Sequence, residues 1–256
     1  MDFYFVPAEF TRNLHVLLDS YVNYTARKSK ALAPGVNLPS YGTPSAVLRH
    51  LEQEFSSQAS EAANADQTLE LADELWDEGW LETRLLAAFL LGRMPPQEGR
   101  LMARLTAWTT QIQDPELRVK LLDASLVRVR KESPAMFLQL LSEWLLPERT
   151  QFWANAIQAA IAAIEDSDFI NLPPLLGVIE PVAEAAPAQI QIDLEQLIVA
   201  LYKASPTETS YFVRHLLINS KNPMTAITFR RMAPSFPAEL REEIREFVRG
   251  KPLSVS

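Results

Sequence analysis

Residues 114–134 read DPELRVKLLDASLVRVRKESP. From Leu117 to Val129 the apolar residues recur at the spacing of one helix face, with no strand-like alternation. Proline stands behind a capping residue at both ends, as Asp114-Pro115 and Ser133-Pro134. Proline lacks an amide hydrogen and holds φ near the helical value, so it suits a first turn. Asp or Ser before it can accept from the helix's orphan amides. The same punctuation returns at Leu172-Pro173, Ser205-Pro206, Asn222-Pro223 and Phe236-Pro237, each ahead of another apolar-periodic segment. The chain reads as all-α.

Working outward, Ala8 to about Lys30 forms a first helix, and APGVNLPSYGTP (33–44) is an irregular connector. Thr43 is placed to cap a helix running to about Phe55, and the small, polar, acidic stretch Ser56 to Ala65 reads as a loop. Helix pairs follow. They are Leu69–Trp76 with Leu81–Leu91, Leu101–Ile112 with Leu117–Val129, Ala135–Leu145 with Phe152–Ile164, and Leu175–Ala185 with Ile190–Tyr202. Tyr211–Ile218 with Met224–Met232 comes next, and Ala238–Val248 closes the series. Prolines 95, 134, 173 and 206 open pairs at intervals of 39, 39 and 33 residues, near the ~33–47 residue periods of helical solenoids. One pair cannot bury its own apolar face, so neighbours must stack. The expectation is a single HEAT/ARM-like α-solenoid domain over residues 1–256 made of stacked antiparallel helix pairs. N-terminal helices span 8–57, repeat pairs 66–249 and a short tail 250–256.

At 256 residues and 48% hydrophobic the chain can bury a sizeable core. No apolar run approaches the ~18 residues of a membrane span, and no signal peptide is visible. Zero cysteines exclude disulfides, thiolate nucleophiles and Cys-based zinc sites, and suit a cytoplasmic protein. Seven glycines stand against eighteen prolines, and neither GxGxxG nor a Walker lysine motif occurs, so no phosphate-cradling loop or nucleotide cofactor is expected. His15, His50 and His215 lie on separate segments without HxxxH or HExxH spacing, so no metal is expected either. No GxSxG elbow supports hydrolase chemistry.

Net charge is −8, and its distribution is uneven. Glu52 to Glu82 holds ten acids and no Lys or Arg, whereas Arg84 to Lys131 holds nine bases and four acids. Between Arg149 and Lys203 there are seven acids and no base. Such segregation predicts one basic face on an acidic protein. Arg128, Arg130 and Lys131 crowd one helix end, where they either complement the helix dipole or clamp phosphate. The candidate clamp comprises Arg27, Lys28, Lys30, Arg84, Arg118, Arg128, Arg130 and Lys131, with Arg230 and Arg231 further on. Trp76 and Trp80, four apart across Gly79, read either as a stacking platform for an extruded base or as a core anchor where helices cross; the anchor reading is preferred for Trp76.

Leu71-Ala72-Asp73-Glu74-Leu75-Trp76-Asp77, followed by Glu82-Thr83-Arg84-Leu85-Leu86-Ala87-Ala88-Phe89-Leu90-Leu91, resembles the HEAT-like-repeat DNA alkylation repair family. Gly35-Val36 with Pro44 and Leu48-Arg49 is similar to that family's connector between early helices. The resemblance implies a C-shaped solenoid whose concave face grips duplex DNA through its phosphates. Its glycosylase members surround a cationic alkylated purine with a Trp and an Asp from one mid-chain helix, plus a further Trp and a Tyr. Carried over residue by residue, that cage is absent. The Trp and Asp fall near Pro115 and Val119, the later Trp falls on His215-Leu216-Leu217-Ile218, and the Tyr falls around Arg27 to Ser29. Glu116 and Asp123 have no aromatic within a turn; Asp114 and Asp123 are the first carboxylates to replace if turnover is found. The expectation is a monomer that binds duplex DNA, with at most weak excision, limited to lesions whose glycosidic bond is already labile. The rival expectation is a scaffold that holds a protein or peptide partner in its groove.

Overall fold

The computed structural model describes residues 7–21, 38–59, 65–96, 99–112, 114–166, 172–185 and 187–248. Every regular element among them is helical. The α-helices are α1 (Pro7–Tyr21), α2 (Ser45–Ala59), α3 (Ala65–Asp77), α4 (Leu81–Arg93), α5 (Gly99–Gln111), α6 (Pro115–Glu132) and α7 (Pro134–Trp144). They continue with α8 (Trp153–Glu165), α9 (Leu172–Ala185), α10 (Gln191–Ala204), α11 (Pro206–Asn219), α12 (Pro223–Met232) and α13 (Ala238–Val248). Single 3₁₀ turns precede α8, α10 and α13. No described helix is long and apolar enough to cross a membrane.

Local chemistry accounts for the helix starts. The Asp114 carboxylate accepts the Leu117 N–H at 2.9 Å with Pro115 in the first turn, and the Asn222 side chain accepts the Met224 N–H at 3.0 Å. Gly79 ends the α3–α4 turn at φ +73°, the left-handed region that glycine enters without a Cβ clash. Two local expectations change. Thr43 does not cap: its amide goes to Glu82, its hydroxyl has no partner among the described residues, and the Pro44 carbonyl accepts the Val47 and Leu48 amides instead. The stretch from Ser56 to Ala59 continues α2 rather than opening a loop, because Leu51 and Phe55 bury its apolar face and carry the helix on.

The chain forms two compact units, Met1–Met136 and Phe137–Ser256. Within each, alternate helices lie side by side. In the first, α1 packs on α3, α2 on α4 and α4 on α6; in the second, α8 packs on α10, α9 on α11 and α11 on α13. α4 is consequently buried on several sides, and Glu82, Thr83, Leu86, Ala87, Ala88, Leu90, Leu91 and Gly92 are all enclosed. Its contact with α6 is close enough that the Ser125 hydroxyl donates to the Ala88 carbonyl at 3.3 Å.

In the second unit Trp144 is fully enclosed and stacks on Phe152, ring centroids 5.9 Å apart, while the Trp153 indole N–H donates to the Leu146 carbonyl at 3.0 Å. The three rings flank the turn at Pro147.

Candidate nucleic-acid interface

Of the expected clamp residues, Arg84, Arg118, Arg128, Arg130 and Lys131 stand on neighbouring helices α4 and α6. Arg84 is the fourth residue of α4, and Arg118 is the fourth residue of α6. Each reaches back to a main-chain carbonyl at the end of the preceding helix. Arg84 Nε donates to the Trp76 carbonyl at 3.4 Å, and Arg118 Nη2 donates to the Ile112 carbonyl at 3.3 Å. Carbonyls at this end of a helix carry the negative end of its dipole, so a cation there is stabilised, even though the Trp76 carbonyl also accepts the Gly79 amide at 3.2 Å.

Arg84 also lies 4.5 Å over the Trp76 indole. The buried Trp76 ring stacks on Trp108 at 4.3 Å and 2°, and its N–H donates to Gln111 Oε1 at 2.9 Å. Burial pulls the Arg84 guanidinium below its ordinary pKa, and the neighbouring Asp77 carboxylate pushes it back up. Trp76 is thus a core anchor that carries a cation on one face.

The other expected cations divide. Arg128 donates from Nε to Glu132 at 2.5 Å and from Nη1 to the Arg93 carbonyl, closing the end of α4, at 2.8 Å. Arg93 lies 4.8 Å over Phe89. Lys131 is exposed. Arg130 is only 4% exposed, and its guanidinium donates to the Asp123 carboxylate at 3.0 Å and to the Asp123 carbonyl at 3.3 Å. Arg27, Lys28 and Lys30 lie outside the described residues. Arg230 and Arg231 are exposed on α12 in the second unit.

Of the two carboxylates, Asp114 is buried as the cap of α6, whereas Asp123 stands 59% exposed with Val119 and Val127 one turn to either side. Among the described residues, no group of three His, Asp or Glu is arranged to hold a metal ion.

The structure also cancels part of the charge segregation seen along the chain. Arg104 grips Asp73 with Nε and Nη2 at 2.8 and 2.7 Å, and Arg100 meets Asp66 at 2.7 Å, so α5 neutralises acids of α3. Local sequence carries no signal for these partners, which lie more than thirty residues apart.

A second polar cluster joins α1, α3 and the 38–43 turn. His15 Nε2 meets Glu78 at 2.5 Å, and His15 Nδ1 is bonded to the Tyr41 hydroxyl. The Tyr41 ring stacks on Trp80 at 4.2 Å and 22°. Thr11 donates to Glu74 at 3.1 Å. Burial raises the Glu78 carboxyl above its ordinary value of 4.5, with His15 opposing the shift and Glu74 adding to it. A raised carboxyl holds its proton more tightly folded than unfolded, so its stabilising contribution is present at low pH and lost as pH climbs through the raised value. Thermal unfolding from pH 4 upward should therefore show a fall in Tm that Glu78→Gln flattens. Parallel curves for the two proteins would contradict this.

The sequence model of one protein family, described as DNA alkylation repair enzyme, matches residues 21–236. No curated protein and no solved structure matches the chain.

Proposed function

Because this chain belongs to the DNA alkylation repair enzyme family, we propose that it binds duplex DNA through backbone phosphates and excises alkylated bases weakly at most. In this reading the helix pairs stack as an α-solenoid, and the second helices of successive pairs carry the phosphate contacts. It acts as a monomer in the cytoplasm, the compartment its cysteine-free sequence suits. The observation that carries the reading is the recurrence of an arginine at the fourth position of neighbouring helices α4 and α6, with Arg93, Arg128 and Lys131 further along the same helices. Neutralised phosphates release counterions, so a few aligned guanidinium groups offset an unfavourable net charge.

Weak excision follows from the carboxylates. Cleaving a glycosidic bond to a cationic base builds positive charge on the sugar, which a nearby unneutralised carboxylate stabilises. Asp114 is engaged as a cap, and Asp123 has its charge countered by Arg130 with valines rather than aromatics beside it. Neither offers a cage for a flat cationic base.

Fluorescence anisotropy on a labelled duplex tests the binding. The expected result is association at low salt, with log K falling linearly against log salt by about 0.9 per phosphate neutralised. No shift even at low salt would overturn DNA binding. A parallel excision assay on duplex carrying a cationic methylpurine should give little turnover, unchanged in Asp123→Asn; robust turnover abolished by that change would reverse the catalytic half of the proposal.

A further inference from the structure

Resting on the DNA-backbone reading above, we infer that the Trp76–Trp108 stack is a positioning shelf that presents Arg84, already oriented, to a single phosphodiester group. The guanidinium is held at two points. Its face rests on the Trp76 indole, and its Nε is spent on the Trp76 carbonyl. Its two Nη groups have no hydrogen-bond partner among the described residues. A planar fork anchored this way leaves two parallel N–H directions for two oxygens of one phosphate, the geometry in which arginine differs most from lysine.

The indole is itself held. Trp108 stacks parallel to it at 4.3 Å, and the cation and Trp108 cannot occupy the same face of the ring, so Trp76 is sandwiched. Rotation of Trp76 within its plane is restrained by the bond from its N–H to Gln111. α5 thus supplies Trp108 and Gln111, α3 supplies Trp76 and α4 supplies Arg84. Ordering a free arginine on binding costs side-chain entropy, and holding the side chain in advance removes much of that cost. Trp108, 5% exposed, cannot meet the DNA and is a positioning residue.

Arg118 provides the internal contrast. It holds the same helix position and also reaches a main-chain carbonyl, but through Nη2 rather than Nε, and that carbonyl belongs to Ile112, which offers no ring for it to lie on. The shelf should therefore act on Arg84 alone.

The test is anisotropy on the full chain with a labelled duplex across a salt series, each variant checked by circular dichroism. Arg84→Ala should weaken binding about tenfold and reduce the salt slope by about 0.9. Arg84→Lys should keep the slope yet bind several-fold more weakly, since the charge remains and the fork and stacking go. Trp108→Leu should keep the slope and bind several-fold more weakly, and Trp108→Phe should restore affinity. Trp108→Leu made on Arg84→Ala should add nothing. Wild-type affinity in folded Trp108→Leu, or equal losses with and without Arg84, would overturn the shelf while leaving DNA binding in place. If Trp108→Leu fails to fold, Gln111→Leu releases the indole without removing the stack; the same several-fold loss supports the inference, and wild-type affinity overturns it. Absence of any binding by the wild-type protein would remove the parent reading as well, a separate outcome.

Discussion

Glu82→Ala is expected to cost about 3–5 kcal/mol, one of the two largest effects of any single change in the first unit. Glu82 is 3% exposed and sits one residue into α4. Its carboxylate accepts the Ser40 hydroxyl at 2.7 Å and the amides of Tyr41, Gly42 and Thr43 at 3.0, 2.9 and 3.3 Å. Gly42 at φ +69° helps turn successive amides toward one anion, a conformation that a residue with a Cβ enters at a cost. Removing the carboxylate takes away the acceptor these donors share, although the Gly42 amide keeps the Ser40 hydroxyl oxygen at 3.0 Å. It also unseats Tyr41, whose ring stacks on Trp80 and whose hydroxyl meets His15. Chemical denaturation should show the loss, and the near-ultraviolet signal of the Tyr41–Trp80 pair should change with it. Glu82→Gln keeps one acceptor oxygen and should fall between wild type and alanine. A cost under about 1 kcal/mol for Glu82→Ala would mean the turn finds other partners.

The second large effect is expected from the gentlest change, Gly92→Ala. A Cβ added at Gly92 would lie 1.9 Å from the Ala124 carbonyl oxygen and 3.0 Å from its carbon. Both are backbone atoms, so no rotamer relieves the clash and the two helices must move apart. Separation would break the Ser125–Ala88 bond and loosen the α4 leucines, of which Leu86, Leu90 and Leu91 are enclosed. Overpacking commonly costs 1–3 kcal/mol and more where the backbone must shift, so a loss of at least about 3 kcal/mol is expected. For a chain of this size that is a Tm lower by roughly 6–12 °C. If the chain binds duplex DNA as proposed, the variant should also bind it less tightly, because Arg84 and Arg118 stand on α4 and α6. An unchanged Tm would show that the α4–α6 contact can open without penalty.

These two residues show where sequence reading stops. Glu82 was one of ten acids in a run without bases, and nothing nearby distinguishes it from solvated neighbours. Its partners lie about forty residues upstream. Gly92 was an ordinary glycine at the end of an apolar helix until α6 lay against it. The helices themselves were legible because their causes are local. Asp114 and Asn222 cap amides two or three residues away, prolines 115, 206 and 223 open first turns, and the helical stripe repeats within four residues.

The expected cations were legible as a list and not as a surface. Arg84 and Arg118 came to equivalent positions on adjacent helices, whereas Arg130 folded back on Asp123, and Arg100 and Arg104 went to acids of α3. Charge runs say which residues are available, but a guanidinium reaches about as far as the distance between neighbouring helices. Which carboxylate, carbonyl or ring it meets depends on the packing of helices remote in sequence. Hydrogen bonds and apolar spacing within a turn wrote the helices, their order and their ends into the chain. The Trp76–Trp108 stack, the cradle around Glu82 and the pairing of Arg100 and Arg104 with acids of α3 came from contacts between residues thirty or more positions apart, whose energies exist only once the helices are stacked.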